Sequence, residues 1–414
     1  MTQEKNVYLE RYAVSKTYIQ ASDYGNPDMV IVIPCHNEPD LISSLNSLEN
    51  CHKPEGQVKV IVVINAGEHS SEKVKMRNQE TLFEAKKWQY ETSRKYTYHF
   101  ILDNKLPKKH AGVGLARKIG MDEAVRIYES TRKNGPIICY DADSKCRPNY
   151  LIELEKLFRD SSVKGCSIHF EHPLDGDLDR NVYEGIINYE LHLRCYVNLQ
   201  KLSGFPYAHQ TIGSSMAVRS SVYQKQGGMN KRKAGEDFYF LHKIIPLGGF
   251  VDLNTTMVIP SPRVSDRVPF GTGKAIGDWI ESDQDLYLTY SPKSFEVLKS
   301  FFEKSDTWYR CTTLELEYFN LSVQIKSFIS KEEFISKINE FNNYSTSLKV
   351  FRNRFFQWFD AFKLMKCVHH FRDEFFADEE VREVARKILN INVHSNKKNK
   401  ELLEEIRGVE TSSH

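Results

Sequence analysis

The chain has 414 residues, 40% of them apolar, which is enough for a large catalytic domain with an accessory region. Its 57 basic and 55 acidic residues nearly cancel, so neither a nucleic acid nor a polyanion is the expected partner. Eight cysteines without a CxxC pair suit buried thiols in a reducing compartment, and argue against a disulfide framework or a zinc site.

Residues 1–10 are charged and lack the apolar centre of a signal peptide. The longest apolar runs, 29–33 and 60–64, fall far short of the roughly 20 residues of a membrane span. A soluble cytoplasmic protein, at most peripheral to the inner face of a membrane, is therefore expected. From residue 29 onward β-rich runs alternate with helical patterns. Residues 29–33 read as a buried strand closed by Pro34. Leu41, Leu45 and Leu48 give a helix over 41–48. Residues 58–64, 96–102 and 136–140 read as three more strands, and 113–128 as a helix with Leu115, Ile119, Val125 and Tyr128 on one stripe. Alternation of this kind predicts an α/β fold, a Rossmann-like, mostly parallel sheet with helices on both faces.

In such sheets ligands bind beyond the carboxyl ends of the strands. Three strand ends are polar: Pro34-Cys35-His36-Asn37-Glu38, Asn65-Ala66-Gly67 and Asp141-Ala142-Asp143. Two carboxylates one residue apart at a turn can reach one hard cation, and Mg2+ or Mn2+ prefers such oxygen ligands while keeping room for substrate phosphates. The competing reading is a solvated turn, since Asp is common after strands. After about residue 285 glycine disappears until Gly408 and long amphipathic patterns take over, which divides the chain into a catalytic domain, 1–284, and a helical accessory region, 285–414, with a frayed, charged tail from residue 395.

Five segments occur in order: Val30 to Glu38, Gly114-Leu115-Ala116-Arg117-Lys118-Ile119-Gly120, Asp141-Ala142-Asp143, Gly213-Ser214-Ser215-Met216-Ala217-Val218-Arg219 and Gly235-Glu236-Asp237. Over residues 28–262 this order resembles the family 2 glycosyltransferases, whose catalytic domain has the GT-A fold. The resemblance implies a nucleotide-sugar donor and transfer of its sugar with inversion. Pro34, His36, Asn37 and Glu38 would hold the nucleotide, with Arg117 near it and near the first carboxylate. Asp141 would face the ribose or the metal, and Asp143 would be the main metal ligand. Asp237 would be the catalytic base, with Glu236 beside it in a more structural role. As a structural alternative, Glu236-Asp237 would cap the helix that follows.

The sequence departs from the family pattern twice. Where the family usually carries Asp-Asp-Gly-Ser after strand two, this chain has Asn65-Ala66-Gly67-Glu68, and Asn65 selects a nucleobase less sharply than a carboxylate. The downstream histidine that completes the metal shell in many GT-A enzymes is missing, since no His lies between His242 and His369. In its place residues 260–274 carry Arg263, Asp266, Arg267 and Lys274 with Gly271 and Gly273. Glycine gives backbone amides access to phosphate, and Arg or Lys neutralises it. Arg263, Arg267 and Lys274 are thus expected donor contacts, with Asp266 as an extra ligand; a plain basic surface loop is the alternative.

His209-Gln210-Thr211 is a candidate acceptor lining. The acceptor itself, whether glycan, lipid-linked or small, is not identified by sequence. Residues 350–365 set Phe351, Phe355, Trp358, Phe359, Phe362 and Met365 at helical spacing among basic residues, a pattern that fits core packing, a second subunit or an anionic membrane surface. Two other functions share the sheet: a sugar-phosphate nucleotidyltransferase and a non-catalytic nucleotide-sugar-binding protein. Against the first, the Gly-rich first loop with Arg and Lys is absent; against the second, Asp141, Asp143 and Asp237 are all retained.

Overall fold

The computed structural model describes residues 6–265, 271–282, 286–392 and 395–412. Two compact units emerge: one extends to Ile186 and resumes over Thr211–Glu281, and the other comprises Ile187–Gln210 and Ser282–Ser412.

The first unit is built on strands β1 (Met29–Cys35), β2 (Val58–Gly67), β3 (Thr97–Leu106), β4 (Pro136–Cys139), β5 (Lys145–Cys146), β6 (Gly165–Phe170), β7 (Met216–Arg219) and β8 (Phe250–Ile259). They form one sheet in the order β3-β2-β1-β4-β7-β6-β8-β5. β3, β2, β1 and β4 run parallel; β7 is antiparallel to both of its neighbours, and β6 and β8 are parallel to each other. Two reversals across β7 return β6 and β8 to the direction of β1. The carboxyl ends of β1, β2, β4, β6 and β8 therefore share one edge with the start of β7.

Helices α1 (Val7–Arg11), α2 (Leu41–Glu49), α3 (Glu72–Glu91), α4 (Val113–Thr131), α5 (Tyr150–Arg159), α6 (Arg180–Leu202), α7 (Ser220–Lys225), α8 (Glu236–Ile244) and α9 (Thr272–Glu281) follow in chain order. Strand pleating puts α2, α3 and α5 on one face and α4 on the other, while α6 passes into the second unit from Ile187 on. Met29, Ile31 and Ile33 of β1 join Leu41, Leu45 and Leu48 of α2, Trp88 of α3 and Leu151 and Leu154 of α5 in one core. The alternate residue Val32 turns to the other face, where α4 lies so close that a Cβ on Gly120 would stand 2.4 Å from Val32 Cγ1. The expected α/β architecture, a mostly parallel sheet with helices on both faces, is what the chain forms.

Several elements differ in extent from the sequence expectation. β1 runs through Pro34 to Cys35, with Pro34 opposite Val63. Val32 accepts from Tyr140 N at the end of β4 (3.1 Å), so Pro34, two residues on, turns its nitrogen to the same side beyond the last residue of β4. The N–H that proline lacks is not needed there. α3 was not foreseen, because its buried residues are Asn78, Thr81, Ala85 and Trp88, three of them polar or small. The segment before β1 straps α4: Asp122 accepts from Tyr8 Oη (2.6 Å), Tyr223 Oη (2.8 Å) and Val14 N (2.7 Å).

The second unit is helical: α10 (Pro292–Lys304), α11 (Leu314–Phe319), α12 (Val323–Phe328), α13 (Lys331–Asn343), α14 (Leu348–Trp358), α15 (Ala361–Glu374), α16 (Val381–Ile388) and α17 (Asn399–Ser412), with β9 (Leu288–Thr289) pairing β10 (Glu379–Glu380). The aromatic run of residues 350–365 breaks at Asp360 into α14 and α15, and Phe351, Phe355, Phe359 and Leu364 are buried in the core of the unit beside Phe301 and Trp308. The tail expected to fray is helix α17: Leu402, Leu403 and Ile406 are buried, and Arg407 reaches Glu190 Oε2 at 2.7 Å. Among the described residues no helix is long and apolar enough to cross a membrane. All eight cysteines are free thiols, seven of them buried.

Candidate active site

β4 ends at Cys139, and the turn that follows carries Asp141 and Asp143. Helix α2 holds this turn from behind: Ser44 Oγ donates to Asp141 O (3.2 Å) and Ser47 Oγ accepts from Cys146 N (3.0 Å). The backbone is thus fixed while the carboxylates stay accessible, with side-chain exposures of 36% for Asp141 and 23% for Asp143.

Arg117, in the second turn of α4, is buried and donates to Asp141 Oδ1 at 2.5 Å and to Glu236 Oε1. It needs room, and Gly213 provides it: a Cβ there would lie 2.5 Å from Arg117 Nη1. Glu236 and Asp237 open α8 after Gly235, whose φ of 67° is the left-handed turn that starts the helix. Phe238 N donates to Asp237 Oδ1 (2.8 Å). Burial raises the Glu236 carboxyl to about 7 even though Arg117 pulls it down. Burial also raises Asp237, helped by the charge on Asp141 and opposed by Arg117 and by the Phe238 amide.

The loop after β1 is clamped by α3. Arg77 Nε and Thr81 Oγ1 donate to Glu38 O, at 3.1 and 3.2 Å, and Asn78 Oδ1 accepts from Asn37 N at 3.0 Å. The clamp holds Asn37 at a φ of 48°, an uncommon conformation outside glycine. His36 Nδ1 lies 2.7 Å from Asn65 O; a carbonyl only accepts, so this nitrogen carries the proton. Pro34 sits inside β1 and not in the loop. Asn65 is buried within β2, its amide nitrogen donating to Cys35 O (3.0 Å) and Val63 O (3.1 Å).

Arg263 lies four residues past the end of β8 and meets the other two loops. Its Nη2 donates to Asp143 Oδ2 at 2.9 Å and to Glu38 Oε2, whose side chain is fully buried. The structure therefore gathers Glu38, Asp141, Asp143, Glu236 and Asp237 about Arg117 and Arg263. Lys274, on α9, pairs with Asp278 one turn further along. Arg267 and Asp266 lie outside the described residues. His209 and Gln210 belong to the second unit, and Thr211 to the first.

The residues present fit a hard divalent cation. Five carboxylates against two guanidiniums leave an excess of negative charge among the described residues, and Asp141 and Asp143 offer exposed oxygens of the kind Mg2+ or Mn2+ takes alongside phosphate. No group of three or more His, Cys, Asp or Glu side chains converges as a complete protein cage among the described residues. One or two carboxylates with substrate oxygens is the pattern this leaves, and it is a common one for magnesium.

Asn78 and Gly213 are parts of the site whose roles sequence reasoning did not bring out. Asn78 donates to Asn65 O (2.9 Å) and Asn104 Oδ1 (2.9 Å), tying the β1 loop to the ends of β2 and β3. A buried Asn at one helix position has no pattern to reveal it. His169 and Glu171, paired at 2.9 Å, close β6 at the same sheet edge.

No family model and no curated protein sequence matches the chain. Among solved structures, residues 1–349 of Staphylococcus aureus TarS in complex with UDP-GlcNAc align over 79% of this chain and 89% of that one, at 12% identity and a TM-score of 0.41. The same protein in complex with UDP aligns over the same shares at 13% identity and a TM-score of 0.38. S. aureus TarS as a longer chain is covered over 55% of its length and covers 83% of this one, at 11% identity and a TM-score of 0.37.

Proposed function

We propose that this chain is a family 2-like glycosyltransferase that moves a sugar from a nucleotide-diphosphate donor to an acceptor hydroxyl, with inversion and with Mg2+ or Mn2+ on Asp143 and Asp141. The supporting observation is the meeting of five carboxylates and two arginines at one sheet edge. A donor diphosphate is itself an anion. An acidic site accepts it only if a cation arrives with it, and carboxylates beside arginines provide for both.

Asp237 takes the base role. Its raised carboxyl affinity for a proton suits removal of the acceptor hydroxyl proton as that oxygen attacks the anomeric carbon. The new C–O bond forms on the face opposite the diphosphate, the old C–O bond breaks, and the proton rests on Asp237. One carboxylate base suffices because no glycosyl-enzyme intermediate forms. Glu236 holds Arg117, and Arg117 holds Asp141, so this arginine orients the donor side of the site. Arg263 would contact the diphosphate, with the buried Glu38 holding its guanidinium in place. When bound, the cation neutralises charge developing on the leaving diphosphate.

The test is to incubate the full chain with UDP-, GDP- and dTDP-sugars and Mg2+ or Mn2+, following melting temperature and release of nucleoside diphosphate. One nucleotide should raise the melting temperature in the presence of metal. Asp237→Asn should keep that rise and lose turnover. No rise with any nucleotide sinks the proposal, and pyrophosphate release from an NTP and a sugar phosphate would favour the nucleotidyltransferase.

A further inference from the structure

Helix α3 buries one face, through Asn78, Thr81, Ala85 and Trp88. Its opposite face carries Met76, Phe83 and Tyr90, exposed to 58%, 70% and 80%. These three recur every seven residues, so at about 100° per residue they deviate from a single line by only about 20°. A 20-residue helix presenting Met, Phe and Tyr in a row to solvent is the pattern of a helix pair that lacks its partner.

We propose that this ridge is the contact between two copies of this chain, packed as an antiparallel helix pair about a two-fold axis at Phe83. In that arrangement Phe83 meets Phe83, and Met76 of each copy meets Tyr90 of the other. The charges select this occupant and this direction. Glu80 and Lys87 both lie on the same flank of the ridge, roughly 40–60° from Phe83. Antiparallel packing sets Glu80 of one copy beside Lys87 of the other, twice over. Parallel packing would turn this flank toward the opposite flank of the partner and leave Glu80 and Lys87 without this pairing. Within one copy Glu80 pairs with Arg77 at 3.3 Å and Lys87 with Glu91 at 3.8 Å, both at exposed positions where such pairs are readily exchanged. One helix pair buries on the order of 1,000 Å² in all, at the small end of specific interfaces, so the dimer is expected to be weak and concentration-dependent. The ridge is the solvent face of α3, opposite Asn78 and Thr81, which hold the β1 loop, and the contact does not depend on the reaction proposed above.

Sedimentation equilibrium of the full chain from about 1 to 100 µM tests it. The apparent mass should climb from monomer toward dimer across that range. Phe83→Ser should hold the chain monomeric throughout with an unchanged melting temperature. Glu80→Lys should weaken association at least about fivefold, and Glu80→Lys combined with Lys87→Glu should restore it. A wild-type chain that stays monomeric, or a dimer that Phe83→Ser or Glu80→Lys leaves intact, overturns the proposal. A charge swap that fails to restore what Glu80→Lys removed overturns the antiparallel register.

Discussion

Arg263 Nη2 stands 2.9 Å from Asp143 Oδ2 and also engages the buried carboxylate of Glu38, so one guanidinium joins the loops that follow β1, β4 and β8. Both carboxylates press the Arg263 proton affinity upward, and the group is a permanent cation. If it contacts the donor diphosphate, Arg263→Ala should lower kcat/KM about 100-fold, the scale for losing one oriented charge contact. Arg263→Lys should recover little of this, because an ammonium cannot fork between two partners. Steady-state kinetics on the three proteins decides the matter, and unaltered constants would remove Arg263 from the site. Arg263→Ala should also destabilise the fold by about 1–3 kcal/mol, since Glu38 is left buried without its cation, and urea denaturation reads that directly.

Arg117 offers a cleaner separation of chemistry from folding. Gly213→Ala would put a methyl group 2.5 Å from Arg117 Nη1, and the backbone at Gly213 needs no positive φ. The arginine must then shift away from Asp141 or Glu236. The expected result is a fall in kcat of tenfold or more with a cost in stability of about 1–2 kcal/mol, typical of mild overpacking. Paired kinetic and thermal measurements check it, and a Gly213→Ala enzyme with normal kcat would show that the position of Arg117 is not critical.

The strands and the edge where the site lies were legible because they rest on short-range rules. Apolar runs ending in polar residues marked the ends of β1, β2 and β4, and the α/β alternation fixed which ends share an edge. The same rules failed where burial is polar. α3 hides Asn78, Thr81 and Ala85 against the sheet and shows Phe83 and Tyr90 to solvent, which reverses the usual pattern. α17 looked like a charged tail because its anchoring contact, Arg407 to Glu190, spans more than 200 residues. Arg263 was named from its loop chemistry, but its meeting with Glu38 depends on β6 and β8 returning to the direction of β1. No local pattern carries that.

Removal of divalent metal tests the proposed cation at Asp143 and Asp141. Asp143 and Asp141 are the exposed oxygens of the cluster, and with Glu38 and Glu236 nearby the diphosphate has little attraction to this edge alone. Chelation with EDTA should abolish turnover, and Mn2+ or Mg2+ should restore it. Asp143→Asn should weaken Mn2+-dependent nucleotide binding at least about tenfold, since an amide oxygen is a poorer ligand for a hard ion. Calorimetric titration with and without metal measures this. Tight nucleotide binding in EDTA would leave the arginines as sufficient on their own.

Glu236 links the site to pH. Burial lifts its carboxyl from 4.5 to about 7, so between those values the folded protein holds a proton that the unfolded chain has released. With more protons bound in the native state, stability falls as pH rises. The contribution of Glu236 is fully present below about pH 4.5 and is lost as pH passes through about 7. Glu236→Gln cannot ionise, and its amide can still accept from Arg117. The variant should therefore gain on the wild type as pH rises from 5 to 8, by an amount on the order of 1–3 kcal/mol. Urea unfolding at the two pH values measures the difference. The same burial raises Asp237 from its ordinary value of 3.8, so the acid limb of kcat/KM should lie above that value. Parallel stability profiles for the two proteins would mean that Glu236 stays ionised throughout, locked to Arg117 as a fixed ion pair and not titrating with the site.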